Sequence, residues 1–371
     1  PLALVFESIK GARTDAVVVP KGYIAQVLAP WGTPLNAKAP KWSKDLAMTP
    51  EIQLNTVGMH HDGMHNFALS DDTASSNFLL VMNNEYIDQD ALWAPKGGAT
   101  NADSGKRPAD EVRTEINAHG VTIVEVKKAS NGKWEVVGDS RYNRRYTSAS
   151  EMKLSGPVAG SDYVKTAFSP DGMRTRGTNN NCANGYTPWG TYLTCEENFN
   201  GYFGFDPETY TPTPEQERYG FGADGFGYQW HLYDDRWDLE RTPMEDNRFG
   251  WVVEIDPMDP TQTPVKRTGL GRFKHEGAAV TVGRGGRVVC YCGDDQRFDY
   301  IYKFVSDGNW RKMRKQGKSP LDHGRLYVAR FNDDGTGDWL ELTIENPALT
   351  ARFSSQAEVL VYARVAADIL G

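Results

Sequence analysis

Cysteine is scarce: Cys182, Cys195, Cys290 and Cys292 are the only four in 371 residues. So few thiols cannot supply a disulfide framework for a chain of this length, and most are expected to be small buried apolar residues. No excess of basic charge exists either. The formal net charge is −8 and the isoelectric point lies near 5.5, which argues against a nucleic-acid surface and leaves room for bound cations. No apolar run approaches the ~20 residues that would span a bilayer. The GxSxG pattern of a nucleophile elbow is missing, so no Ser-His-Asp chemistry of that type is expected. Sustained helical periodicity is also rare.

What remains is strand-forming sequence. Segments rich in Val, Ile, Tyr, Phe and Thr recur between Gly, Asn, Asp and Pro, among them SNFLLVMNNEY, GVTIVEVKK, KWEVV, TYLTCEEN, GWVVEID, RVVCYCGDD, DYIYKFV, RLYVARF and DWLELT. Helices are expected at DEVRTEINAHG, at SGPVAGSDYVKTA with Ser155 as its cap, and at the final SSQAEVLVYARVAADILG. The pattern predicts an all-β fold with inserted helices and long loops, as one domain over 1–371. Residues 206–247, rich in Tyr, Gly, Asp and Trp, form a long insertion between strands. Its aromatic residues either shape a substrate entrance or pack among themselves.

A weak internal repeat runs through the chain. HHDGMHNFAL precedes NFLLVMNNEY, CANGYTPWG precedes TYLTCEEN, and KHEGAAVTV precedes GRVVCYCGDD. Each time a polar segment with a glycine (Gly63, Gly185, Gly277) leads to a strand ending in acids or amides: Asn84 and Glu85, Glu196 and Glu197, Asp294 and Asp295. Such units resemble propeller blades, whose equivalent strand ends gather around one channel. Three blade-like units are fewer than the four to eight of a closed propeller, so an incomplete ring is expected. A fragment of a longer chain is favoured over a truncated, inactive homologue.

Convergence of these acids would demand cations, because packed carboxylates otherwise repel one another or stay protonated. Calcium takes six to eight oxygen ligands of the types that NNEY, CEENFN and CGDD offer. A thiolate among them suits zinc or iron better. Cys182 lies in the Gly/Asn-rich NNCANG, where burial in an apolar core explains it less well than it explains Cys290. His275 is read first as an oriented core histidine. The MHHDGMH stretch lacks zinc spacing, and the arginines of RYNRR are left out of the site.

The stretch GTNNNCANGYTPWGTYLTCEENFNGYF resembles the central motif of the PhoX-type alkaline phosphatases. VVVPKGYIAQVLAPWGTPL, GMHHDGMHNF, INAHGVTIVEV, RYNRRYTSASEMKLSGPVAG, RFKHEGAAVTV and VVCYCGDDQRFDYIYKFVS carry the same resemblance. It implies a bacterial, periplasmic or secreted β-propeller phosphatase, exported folded through the twin-arginine route after removal of its signal peptide. The resemblance also implies Fe3+ and Ca2+ as cofactors and phosphate monoesters as substrates. Carried over by motif, Cys182 is the iron thiolate, Glu276 and Asp295 are metal carboxylates, and Glu196 and Glu197 are calcium-side ligands. A DRPEW-type motif with a phosphate-gripping arginine follows the matched region in the family, and the sequence stops at Gly371 before it. Two alternatives stay open: a calcium-only propeller hydrolase such as a lactonase or phosphotriesterase, and a non-catalytic calcium-binding propeller.

Overall fold

The structure is a computed structural model that describes residues 6–102 and 105–370. Among the described residues sixteen strands form three separate sheets. The first contains β1 (His61–Ala68), β2 (Asn77–Asn84), β3 (Gly120–Lys128), β4 (Trp134–Val136) and β5 (Arg144–Tyr146). The second contains β6 (Glu151–Ser155), β7 (Arg174–Arg176), β8 (Asn181–Tyr186), β9 (Tyr192–Glu196), β10 (Val252–Ile255) and β11 (Val265–Arg267). The third is the meander β12 (His275–Val282), β13 (Arg287–Asp294), β14 (Ile301–Asn309), β15 (Gly324–Phe331) and β16 (Gly337–Glu341). Pairing is antiparallel throughout except between β6 and β11.

Period-2 alternation explains how the sheets stack. Leu79, Val81, Val121 and Ile123 on one face of the first sheet pack with Met152, Tyr192, Val253 and Ile255 of the second. Met82, Val124 and Val126, from the alternate positions, meet Ala29, Leu35 and Val57 on the other face. Leu193, Cys195 and Val252 of the second sheet pack with Val288, Cys290, Tyr302 and Phe304 of the third. The inner strands β9 and β10 are therefore buried along their whole length. Fully burying one such aliphatic or aromatic side chain contributes about 1.5–3 kcal/mol. Among the described residues the three sheets do not close on one another into a ring.

Short helices decorate this frame. Ala109–Ala118 forms at the expected place, and the final segment forms two helices, Gln356–Val361 capped by Ser355 and Ala363–Leu370. The expected helix at SGPVAGSDYVKTA is corrected to turns with one 3-10 turn, Asp162–Val164. Gly156 and Gly160 adopt φ of +90° and +79°, incompatible with a helix, and Ser155 ends β6 with its hydroxyl on Asp322 Oδ1 (2.7 Å). Between β9 and β10 the chain makes short helical turns around its own aromatic cluster, which includes Phe199, Phe203, Tyr219, Trp230, Trp237 and Phe249.

Candidate metal centre

Each sheet contributes one hairpin to the same site: β1–β2, β8–β9 and β12–β13. These hairpins are alike, with the irregularity of the third starting one pair later. His61 faces Asn84, Asn181 faces Glu196 and His275 faces Asp294, and in each hairpin the register then shifts at a β-bulge. A bulge kinks its strand and re-aims the side chain at that point. Asp62 and Cys182 lie within their bulges, and Glu276, still paired with Gly293, lies directly before its own. The residues that leave the partner strands are Glu85, Glu197 and Asp295. Their backbone N–H groups make equivalent hydrogen bonds, to the carbonyls of His60 (3.0 Å), Asn180 (3.0 Å) and Lys274 (3.1 Å).

The six side chains form one electrostatic cluster. Cys182 Sγ and carboxylate oxygens of Glu197 and Glu276 lie within 4.8 Å of one another. Glu85 is paired with Asp62, and burial followed by that neighbour pushes its carboxyl up to about 7. Asp295 is a close neighbour of Glu197. Burial first, then Asp295 and Glu276, push Glu197 up to about 9. Glu276 is raised by burial and by Asp295 and Asp62, against the opposing effect of the Cys182 thiol. The thiol itself is buried, donates to His275 O at 3.2 Å, and is raised mainly by desolvation.

Backbone packing makes room for this convergence. A Cβ on Gly63 would meet Cys182 O and Ala183 C at 2.8 Å, and one on Gly185 would collide with Ala278 O. Buried Asn83 holds the bulge of β8 by donating Nδ2 to Cys182 O (2.6 Å) and Ala183 O (3.0 Å). Its Oδ1 accepts from Thr194 Oγ1 (2.8 Å) and Tyr192 Oη (3.0 Å), so the second sheet locks the residue that positions it. Asn179, three residues before Cys182, is buried with neither amide atom paired.

Of the five residues expected from sequence, Cys182, Glu197, Glu276 and Asp295 come together and Glu196 does not. Glu196 points to the opposite side of β9, where Oε1 accepts from Lys266 Nζ at 2.7 Å. Its Oε2 accepts from the backbone N–H groups of Gly250 (2.9 Å) and Trp251 (3.0 Å). In this structure Glu196 is held in a buried ion pair apart from the other four. His275 is the core histidine expected: its Nε2 is 2.9 Å from Gly271 O, its ring stacks on Phe273, and burial lowers it to about 3. Arg144 and Arg145 are held by backbone carbonyls. Sequence reasoning passed over Asp62 and placed Glu85 only at the end of a strand. It also missed Lys274, a buried lysine whose ammonium is lowered by desolvation and by Arg364 and feels Asp294 and Glu197.

Three stacked sheets each turn a hairpin toward one pool of carboxylates and a thiol, a donor set of the kind that can hold cations. The chain belongs to the PhoX alkaline phosphatase family, whose sequence model, described as alkaline phosphatase PhoX, matches residues 4–371. It is similar to the solved structure of Pseudomonas fluorescens PhoX in complex with vanadate, a transition state analogue, with 43% identity and a TM-score of 0.91. That match covers 99% of this chain, and the chain spans 63% of the length of that relative. A search of curated proteins gave no match. No described helix is long and apolar enough to cross a membrane.

Proposed function

We infer that this chain forms the cation-binding part of a metal-dependent alkaline phosphatase that hydrolyses phosphate monoesters in the periplasm or outside the cell. The observation that carries the reading is the convergence of Asp62, Glu85, Cys182, Glu197, Glu276 and Asp295 from three sheets. Carboxyl groups held at about 7 and about 9 cannot all ionise at neutral pH without neutralising cations, so the donor set fits a multi-metal centre. The proposed ligands of Fe3+ are the soft Cys182 with Glu276 and Glu197, and those of Ca2+ are the oxygen donors Asp62, Glu85 and Asp295. When bound, such ions supply Lewis acidity and stabilise the charge that develops on a transferring phosphoryl group.

The protein's own residues supply the rest. Asn83 and the three bulges hold the donors in place before cations arrive. Lys274 places a buried ammonium beside Glu197, where it favours an anionic substrate over a neutral one. Membership of the family and the vanadate complex of the Pseudomonas relative support phosphate-ester chemistry. In the same reading the three sheets are blades of a β-propeller that the remaining length of the relative continues, and export delivers the folded protein.

Elemental analysis of protein purified without chelators tests this, together with hydrolysis of phosphate monoesters with iron and calcium supplied. Iron together with calcium, a visible charge-transfer band lost in Cys182→Ser, and monoester turnover are expected. Calcium without iron, with activity unchanged in Cys182→Ser, would move the assignment to a calcium-only hydrolase. Absence of turnover on any phosphoester would refute it.

A further inference from the structure

The helix Ala109–Ala118, strand β7 and the turn Asp235–Trp237 enclose an open cavity of about 790 Å³. Contacts between its walls hold it in shape. Asn117 Nδ2 donates to Pro50 O at 2.9 Å, the Arg113 guanidinium lies 5.7 Å from the centre of the Tyr233 ring, and Arg236 Nη2 donates to Arg176 O. None of the six donors of the candidate metal centre lines this cavity.

In a chain of net charge −8, four cations line it, Lys106, Arg113, Arg176 and Arg236, against two carboxylates, Asp234 and Asp235. Most of these charges are already engaged. Asp235 pairs with Arg241 (2.7 Å), Asp234 Oδ1 accepts from the backbone N–H of Arg236 (3.0 Å), and Arg113 pairs with Asp110 (3.4 Å). Arg236 pairs with Glu245 (2.7 Å) and donates to Ser148 O (2.7 Å).

Arg176 differs. Among the described residues nothing accepts a hydrogen bond from its guanidinium, and its Nε is buried without a partner. The Phe168 ring lies 4.4 Å from it, a contact that holds the guanidinium in place and gives its N–H groups no oxygen. Burial and the neighbouring Arg236 act against its charge, and Glu245 and Asp234 act for it without reaching it as ion-pair partners. A guanidinium keeps its proton in proteins, so a half-buried one with no acceptor calls for an anion.

We propose that this cavity is a second binding site, which takes a phosphate-type oxyanion on the Arg176 guanidinium with Lys106 and Arg113 drawing it in. The planar fork of arginine donates to two oxygens of such an anion at once. The site does not depend on the metal centre being loaded.

The test is titration calorimetry of inorganic phosphate into the metal-loaded protein. The variants are Arg176→Met, which keeps an aliphatic stem against Phe168, Lys106→Gln, and the control Lys318→Gln, an equal charge change at an exposed lysine outside the cavity. The parent should bind one phosphate more than Arg176→Met, since any phosphate taken by the metal centre is common to both. At that additional site Lys106→Gln should bind about two- to fivefold more weakly and Lys318→Gln as the parent does. In phosphate-free buffer Arg176→Met should melt no lower than the parent, because it loses a desolvated charge without an acceptor. Equal numbers of phosphates on parent and Arg176→Met overturn the site, and so does an equal loss of affinity in Lys106→Gln and Lys318→Gln. A markedly lower melting temperature of Arg176→Met in phosphate-free buffer would make Arg176 a structural residue and overturn its role. If Arg176→Met does not fold, Lys106→Gln decides, and an affinity equal to the parent's overturns the site.

Discussion

Glu196 and Glu197 are neighbours in sequence, and their replacement by glutamine should move stability in opposite directions. Glu196→Gln leaves Lys266 fully buried without a counter-ion, with only Arg248 O (2.7 Å) and the face of Phe249 (4.1 Å) to receive its ammonium. Breaking a buried pair in this way costs about 3–5 kcal/mol. Unfolding entropy scales with chain length, so for 371 residues the loss corresponds to a melting temperature lower by about 4–6 °C. Glu197→Gln has the other sign in metal-free protein. Its carboxyl is held near 9 in the folded state against 4.5 in the free side chain. At neutral pH the protonated group therefore forfeits roughly 3 kcal/mol, which solvent on the open side of the cluster reduces to about 1–2 kcal/mol. Because the folded value is the raised one, the native state is favoured fully below about pH 4.5 and loses that advantage as pH rises towards about 9. The gain from Glu197→Gln should grow across this window and level off above it. Thermal melts of chelator-treated parent and variants between pH 5 and 9 provide the assay, with bound metal measured on untreated samples. Two variants that shift in the same direction, or a Glu196→Gln protein that loses metal while Glu197→Gln retains it, would refute the division of labour.

Three further outcomes follow from the same geometry. In chelator-treated protein the melting temperature should fall as pH rises from about 6 to 9, since Glu85 and Glu197 must then ionise beside other carboxylates, and added calcium should reverse the trend; a flat profile would contradict the clustering. Gly63→Ala should cost about 1–3 kcal/mol in denaturant titration and weaken metal retention, because the new methyl group meets Cys182 O and Ala183 C at 2.8 Å. Arg364→Ala leaves Asp294 buried and unpaired one residue before Asp295, so the unfolding midpoint should drop by the equivalent of about 3–5 kcal/mol.

Much of this architecture is legible in sequence because strands buried on both faces are written as β-branched and aromatic runs. Leu79 to Met82 and Val121 to Val126 could hardly read otherwise. The three hairpins were also visible as a repeat, but glycines alone align them imperfectly. Gly63 and Gly277 directly follow Asp62 and Glu276, whereas the residue equivalent to them after Cys182 is Ala183, and Gly185 lies two positions further on. Aligned on the bulge, Asp62 falls opposite Cys182 and Glu276, and Glu85 opposite Glu197 and Asp295. Period-2 alternation, applied at Glu196 and Glu197, would have sent adjacent acids to opposite sides of β9. What periodicity cannot announce is the partner: that Lys266, seventy residues later, meets Glu196 depends on how β11 and β10 dock. The missing helix at SGPVAGSDYVKTA was written in its glycines, whose positive φ outweighs the favourable residues between them.

The six donors span Asp62 to Asp295, so no local segment of the chain can capture a cation well on its own. Donors this far apart make high-contact-order closure a precondition of binding, and chains with such topology fold slowly. Cation capture would then be a late event in assembly that reports the docking of all three sheets at once. The same connectivity makes a bound ion a brake on unfolding, because separating any one hairpin from the others must first strip the ion of ligands. Chelation should thus shorten the lifetime of the native state more than it alters the shape of any single sheet.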